Sequence, residues 1–589
     1  MNVLKTRWTD WVDIEKPLCE YPRPQLVRQD WQCLNGEFDF TITDRVDEIP
    51  ESFDEKIIVP FAPESYLSGI GKTIEPENYI WYKKRFILDD CFKDKRTILH
   101  FEAVDWRCMV YVNGKAVGTH QGGYLPFSFD ITDFICDGYN ELVVRVYDPT
   151  ETSWQDRGKQ VRKSTGFWYT ATSGIWQTVW LEPVNEAHIE SIKLTPDLDS
   201  SEIRIETDLS AKSDYILRAI IKKEDKFIFT GKIETDQSIK LSEVHPWSPA
   251  DPFLYDLIIA LCDGDGKIVD VVTSYFGMRK FSIGYDEKAV PRLYFNNKPY
   301  FQTGLLDQGY WPDGGMTPPC DEAMIFDIKS MKELGFNMLR KHIKIESRRW
   351  YYHCDRLGMI VWQDMVCGAK SIDMLLVGVL PNIFIRGIKD NHYALFGVDS
   401  EECRREHEKA VYDTVEHLYN CTSIGCWVPF NEAWGQFDAK RIAENVKSTD
   451  PTRIVDHASG WHDQKGPELK SIHQYILPFI TPKNDGRPTV LSEFGGYSRI
   501  VEGHVWNRRK SFGYVMFKTK KSLTKAYKRL YEHQIIPGLK RGLSACVYTQ
   551  VSDVEFEVNG IYTYDRELLK PDAETVKRIN MKLRGVADE

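Results

Sequence analysis

The chain has 589 residues, 42% of them hydrophobic and 28% charged, and a formal net charge of −11; that is too long for one hydrophobic core and too apolar for extended disorder, so two to four folded domains are expected. The acidic balance disfavours nucleic acid, which needs clustered Lys and Arg, and the basic run 518–529 carries Leu523, Ala526 and Tyr527 at the spacing of a solvated amphipathic helix. No stretch is apolar enough to span a bilayer or to act as a secretory signal, and thirteen cysteines without a CxxC pair encode neither a disulfide framework nor a thiolate zinc site, so a cytoplasmic protein with reduced thiols and no membrane partner is expected.

From about residue 20 to 185, short β-type runs follow one another between turn signals. The first reads Leu34-Asn35-Gly36-Glu37-Phe38, where Asn-Gly predicts a hairpin turn, as it does at Asn113-Gly114. Many short strands without helical periodicity predict a jelly-roll β-sandwich over 1–185. A more polar alternation continues over 186–284, about the length of one immunoglobulin-like β-sandwich. Within it, His245-Pro246-Trp247-Ser248-Pro249 is too rich in proline for a central strand and predicts a rigid crossing.

Over 285–589 apolar runs alternate with helical stretches, as in parallel βα units. One helix is predicted over 322–335, with Ile325, Ile328, Met331 and Leu334 on one face, Asp321 as cap and Gly335 as stop. Strands are predicted at 300–306, 337–342, 359–364, 424–431, 453–457, 471–475, 489–493 and 545–550. Eight such units make a (β/α)8 barrel, whose chemistry sits at the C-terminal ends of its strands.

Two carboxylates stand at such ends. Glu432 follows the apolar run Trp427-Val428-Pro429-Phe430-Asn431, and Glu493 follows Val490-Leu491-Ser492. A carboxylate there is costly to desolvate unless it is used or paired. Structural ion pairs with barrel cations would account for both. So would glycoside hydrolysis, which needs one carboxylic acid to protonate the departing oxygen and one carboxylate across the anomeric carbon.

Four segments then carry a family resemblance: 427–435 (WVPFNEAWG), 490–496 (VLSEFGG), 21–40 (YPRPQLVRQDWQCLNGEFDF) and 166–181 (GFWYTATSGIWQTVWL). Together they resemble glycoside hydrolase family 2, over essentially the whole chain and with its order of jelly roll, immunoglobulin-like domain and barrel. The resemblance implies a retaining exo-glycosidase acting on a carbohydrate substrate, with Glu432 as acid/base and Glu493 as nucleophile. It also implies Asn431 on the 2-hydroxyl, His342 on sugar hydroxyls and Tyr475 as donor to the nucleophile. Asp307, Tyr310, Trp311 and Trp362 are candidates to line the pocket. The chemistry requires no cofactor or metal. Family members form dimers or tetramers, and nothing in the residues sets the number for a homo-oligomer here.

The match departs from the family in places. A Trp that many members carry after the eighth strand is missing from Val547-Tyr548-Thr549-Gln550, and Asn559-Gly560-Ile561 lacks the lysine of the uronate-binding Asn-x-Lys-Gly motif. The chain also ends soon after the barrel, without the extra C-terminal domains of the largest β-galactosidases. A galactoside is therefore the leading substrate, with glucuronide, arabinoside and galactofuranoside as alternatives. The apolar stretch 365–391, with Met374, Ile383, Phe384 and Ile385, is expected to shape the leaving-group side or to pack on a neighbouring subunit. A carbohydrate-binding protein without catalysis is the rival of another class. A nucleotide enzyme is disfavoured because Tyr66 replaces the first glycine of a P-loop ending in Gly71-Lys72-Thr73.

Overall fold

The computed structural model describes residues 4–45, 47–211, 215–370, 372–373, 375–379 and 387–588. The first region folds as two antiparallel sheets, a six-stranded one built around Asn78–Ile87 and Tyr139–Tyr147 and a four-stranded one built around Val179–Val184 and Arg96–Phe101. Alternate residues such as Phe38, Phe40, Val110, Val144 and Leu181 point between the sheets and form their core. At Asn113-Gly114 the chain reverses through a two-residue turn, with both residues in the left-handed region and Val112 opposite Lys115.

Asn35-Gly36 behaves otherwise, which corrects the expected hairpin. Strand Gln32–Cys33 joins one sheet and Gly36–Asp44 the other, so the dipeptide is a crossing between sheets. Gly36 has φ +105°, and a Cβ there would stand 2.5 Å from the Glu15 carbonyl oxygen, so the crossing requires glycine. The same region corrects the expectation of fully reduced cysteines. Cys19 and Cys33 are joined in a disulfide with their Cα atoms 5.8 Å apart, because the N-terminal segment is laid beside the Gln32–Cys33 strand. Cysteine usage therefore no longer points to a reducing compartment. Among the described residues no helix is long and apolar enough to cross a membrane.

The second region is an immunoglobulin-like sandwich of three strands facing four, from Ile189–Asp197 to Ile268–Phe276. Its proline-rich crossing carries the fully buried Trp247, whose indole donates to the Asp355 carbonyl at 2.7 Å and whose ring packs into the base of the barrel.

The barrel strands are β1 (Gln302–Asp307), β2 (Met338–Lys341), β3 (Ile360–Asp364), β4 (Ile424–Val428), β5 (Ile454–Val455), β6 (Lys470–Gln474), β7 (Thr489–Gly495) and β8 (Leu543–Thr549). They form one curled parallel sheet in the order β5-β4-β3-β2-β1-β8-β7-β6, the succession of a (β/α)8 barrel. The helix α1 (Asp321–Glu333) after β1 buries Ile328 and Met331. Asp321 lies inside it and pairs with Arg349 and His353 instead of capping it. Eight complete βα units are not present: among the described residues the β5–β6 and β6–β7 connections carry no helix.

The first two regions are tied by a buried ionic cluster. Glu182 of the jelly roll accepts from Arg23 at 2.8 Å and from Arg28 at 3.0 Å, and Arg28 also pairs at 2.8 Å with Asp270 of the second sandwich. Burial opposes ionisation of Glu182, but Arg23, His100 and Arg28 outweigh it and hold the carboxyl well below its usual range. A depressed folded-state pKa contributes stability above the ordinary carboxylate value of ~4.3, and that stability is lost as pH falls below it. Glu182→Gln, which leaves the buried Arg23 without a carboxylate and Arg28 with Asp270 alone, is expected to cost about 3 kcal/mol. Thermal denaturation should show a lower midpoint at pH 7 and a flatter decline of stability towards pH 3 than in the parent.

Candidate active site

The C-terminal ends of the barrel strands open into a cavity of about 1100 Å³. At its floor stands Arg340, on β2, a guanidinium with no exposed surface. Such a group is tolerated only where carboxylates and carbonyls meet all its donors. Nε and Nη2 fork onto Asp364 of β3 at 2.8 and 3.0 Å, Nη1 donates to Glu493 Oε1 at 3.1 Å, and Nη2 also donates to Asn431 Oδ1 at 2.8 Å. One side chain thus aligns residues from β2, β3 and β7 and the loop after β4.

Glu493, on β7, is almost completely buried. Burial alone would push its carboxyl up, but the groups beside it, of which Arg340 is the permanent cation, prevail and hold it below its usual range. Tyr475, just beyond β6, donates its hydroxyl to the other carboxylate oxygen. Burial, then the charge of Glu493, pushes that phenol well above its usual value, so it remains a donor. Its ring is stacked on Tyr514 at 4.0 Å, which sets the direction of the hydroxyl.

Glu432 is more accessible, with 23% of its side chain exposed against 4% for Glu493. Glu432 and Ala433 both have left-handed backbone, at φ +42° and +69°, a strained turn of the kind that functional sites maintain. Hydrogen bonding of the Glu432 amide to the Ser459 carbonyl at 2.9 Å fixes the turn. His473 Nδ1 meets Glu432 Oε1 at 2.6 Å. One oxygen of each glutamate and a ring nitrogen of His473 lie within 4.8 Å of one another, the one such convergence of potential ligand atoms among the described residues. The guanidinium of Arg340 already supplies positive charge at that point.

His342 donates or accepts through Nδ1 at 2.7 Å from Asp364. Burial, followed by Lys159, keeps its pKa well below the usual value, so the ring is neutral. A neutral ring beside a carboxylate carries its proton on Nδ1, which leaves Nε2 as an acceptor towards the cavity.

Glu432, Glu493, Asn431, His342 and Tyr475 are therefore brought together around one cavity. Asp307, Trp311 and Trp362 are not. Asp307 accepts from Lys341 at 2.8 Å beneath the cavity floor. Trp311 packs on Trp8 with Arg566 over its ring at 4.0 Å. Trp362 is in the barrel interior, its indole donating to Gln302 at 2.6 Å, because it lies two residues before the end of β3. Tyr310 is likewise buried, against Tyr169.

Other lining residues come from elsewhere. The jelly-roll segment that includes Trp154, Arg157, Lys159 and Trp168 forms one wall, and Trp434, Trp461, Phe512 and Tyr514 form much of the remainder. These rings stand in for the missing tryptophan after β8, where Thr549 reaches the cavity. From the stretch 365–391, Lys370, Ile372 and Gly378 line the cavity, whereas Met374, Ile383, Phe384 and Ile385 lie outside the described residues. Arg340 had a sequence signal, a charged residue directly after the apolar pair Met338-Leu339; His473, in the polar strand Lys470–Gln474, had none. Tyr514 and the jelly-roll wall had none.

Three models of one family match the chain in order: the sugar binding domain of glycosyl hydrolases family 2 over residues 69–183, the central family 2 domain over 187–279 and the TIM barrel domain over 291–491. A β-galactosidase of Thermoanaerobacter pseudethanolicus is 30% identical over 336 residues, covering 54% of this chain and 43% of that protein. One of Streptococcus thermophilus is 30% identical over 393 residues, covering 64% and 35%, so the chain spans less than half the length of these relatives. The structure of Bifidobacterium dentium β-glucuronidase complexed with coumarin-3-O-glucuronide superposes with a TM-score of 0.74 at 18% identity, covering 96% of this chain and 98% of that one, which shows a common fold. With the three domain matches in sequence and the same three-part architecture in space, the chain belongs to glycoside hydrolase family 2.

Proposed function

We propose that this protein is a retaining exo-glycosidase working by double displacement, with Glu493 as nucleophile and Glu432 as acid/base. The observation that carries the reading is the approach of the two carboxylates to within 4.8 Å. A retaining pair stands about 5–5.5 Å apart, whereas an inverting pair leaves about 6.5–9.5 Å for a water. Their surroundings differ as the two roles require. Glu493 is held ionised by Arg340 and Tyr475, and Glu432 faces the open cavity from which a leaving group departs.

In the first step the Glu493 carboxylate attacks the anomeric carbon while Glu432 transfers its proton to the departing oxygen. The aglycone leaves as an alcohol and a glycosyl ester remains on Glu493. In the second step Glu432, now a carboxylate, takes a proton from water, which attacks the same carbon and releases Glu493. Because Asn431 Oδ1 is engaged by Arg340, its amide N–H groups are turned to the cavity, where they can donate to the 2-hydroxyl. His342 Nε2 can accept from a neighbouring hydroxyl.

A β-galactoside is the leading glycone, supported by the names of the relatives in sequence. A glucuronide is the second reading, supported by two cations on the jelly-roll wall: Arg157 donates to the Gln160 carbonyl and lies over Trp168, Lys159 lies over Phe167 and Tyr169, and among the described residues neither has a carboxylate within ion-pair distance.

Aryl β-D-galactosides, glucuronides, arabinosides and galactofuranosides should separate these readings, with the galactoside hydrolysed fastest and the β-anomer released first. Glu493→Ala is expected to lose about 10⁴-fold or more in kcat, and Glu432→Ala to regain turnover with azide on activated aryl substrates. Full activity in either variant, or first release of the α-anomer, defeats the assignment. Arg340→Gln removes a cation that keeps Glu493 ionised, so the acidic limb of the kcat/KM profile should move to higher pH; an unmoved limb would show that Arg340 does not govern the nucleophile.

A further inference from the structure

We infer that His473 is the positioning residue of the acid/base: its Nδ1–H holds Glu432 Oε1, so that Oε2 carries the transferable proton to the leaving oxygen. This rests on the assignment of Glu432 proposed above and adds what orients it.

His473 is on β6 and nearly without exposed surface. Its ring lies between the two glutamates, with Nδ1 2.6 Å from Glu432 Oε1 and Nε2 3.7 Å from Glu493 Oε1. Nε2 also has Arg340 Nη1 at 3.4 Å and Ser459 Oγ at 2.9 Å. A guanidinium can only donate, so towards Arg340 Nε2 is the acceptor and the ring proton resides on Nδ1, aimed at Glu432. The charged and titratable groups around the ring are therefore Glu432 from the loop after β4, Glu493 from β7 and Arg340 from β2. Asp364 lies behind Arg340.

From Ser459 the contacts continue inward. Ser459 Oγ is 2.9 Å from Ser492 Oγ, Ser492 Oγ is 2.6 Å from Ser471 Oγ, and Ser471 donates to Asp456 Oδ2 at 2.7 Å. All four residues are buried, and each comes from a barrel strand or the turn that follows it. Three hydroxyls carry three protons, and with Ser471 donating to Asp456 the row packs beneath the ring without setting its tautomer. The ring is also held by shape. Gly460, at φ +110°, lies flat against it, and a Cβ there would stand 3.0 Å from His473 Nδ1, so no other residue lets the loop seat the imidazole as closely.

The consequence is chemical. A general acid matters in proportion to how poor the leaving group is. If His473 only filled space, its loss would slow all substrates alike.

The test uses the full-length protein, the glycone selected by the aryl-glycoside panel, and two leaving groups, phenol and 2,4-dinitrophenol. In His473→Gln the donor no longer sits at the Nδ1 position, and kcat/KM should fall about 100-fold on the phenyl glycoside but under tenfold on the dinitrophenyl one, within the range of general acid catalysis. In His473→Asn the amide nitrogen replaces Nδ1, and the phenyl glycoside should recover to within about tenfold of the parent. Equal losses on both leaving groups in His473→Gln, or no recovery in His473→Asn, overturns the inference. Glu432→Ala is the control for the underlying reading: should it also treat the two leaving groups alike, the acid role of Glu432 fails, whatever His473 does.

Discussion

A single buried cation organises this site. A guanidinium without water contact costs several kcal/mol unless each of its faces is met, and Arg340 resolves that demand with Asp364, Glu493, Asn431 and the Ser492 carbonyl. Each partner is thereby held for its own task. Asp364 is fixed to receive His342, Asn431 is held by its Oδ1 at the cavity edge, and Glu493 is kept ionised despite its burial. A set of loose polar side chains at a barrel mouth would need to be ordered by substrate at an entropic cost; here the arrangement exists beforehand.

The rest of the molecule completes what the barrel begins. The barrel brings the reacting groups and their supports, but much of the aromatic and cationic wall arrives from the jelly roll through the segment around Arg157, Lys159 and Trp168. That wall depends on how the sandwiches sit against the barrel, which the Glu182–Arg28–Asp270 cluster and the buried Trp247 help to fix. Domain packing thus bears directly on the shape of the pocket.

Much of this was legible in the residues. Most barrel strands were, because a parallel strand buried on both faces reads as a short apolar run, the polar β6 being the exception, and so were the positions of Glu432 and Glu493, since a carboxylate at the end of such a run asks for an explanation. The residues misplaced were those whose local pattern is ambiguous. Trp362 and Asp307 stand in strands like the residues that line the cavity, yet one turns into the lower barrel and the other meets Lys341, and only the height and tilt of the strand decide that. Asn35-Gly36 has the letters of a hairpin but joins two sheets, because turn chemistry is local whereas strand partners are not.

By itself, the sequence determined the order of domains, the strands and the two glutamates, since each depends on periodicity or on a polar residue breaking it within a few positions. Tertiary structure alone decided that the glutamates stand within 4.8 Å of one another, that His473 lies between them, that Cys19 meets Cys33, and that Arg157 and Lys159 reach the cavity from another domain. Those facts bring together residues tens to hundreds of positions apart, and no local pattern encodes a distance between segments whose approach is set by the packing of everything between them.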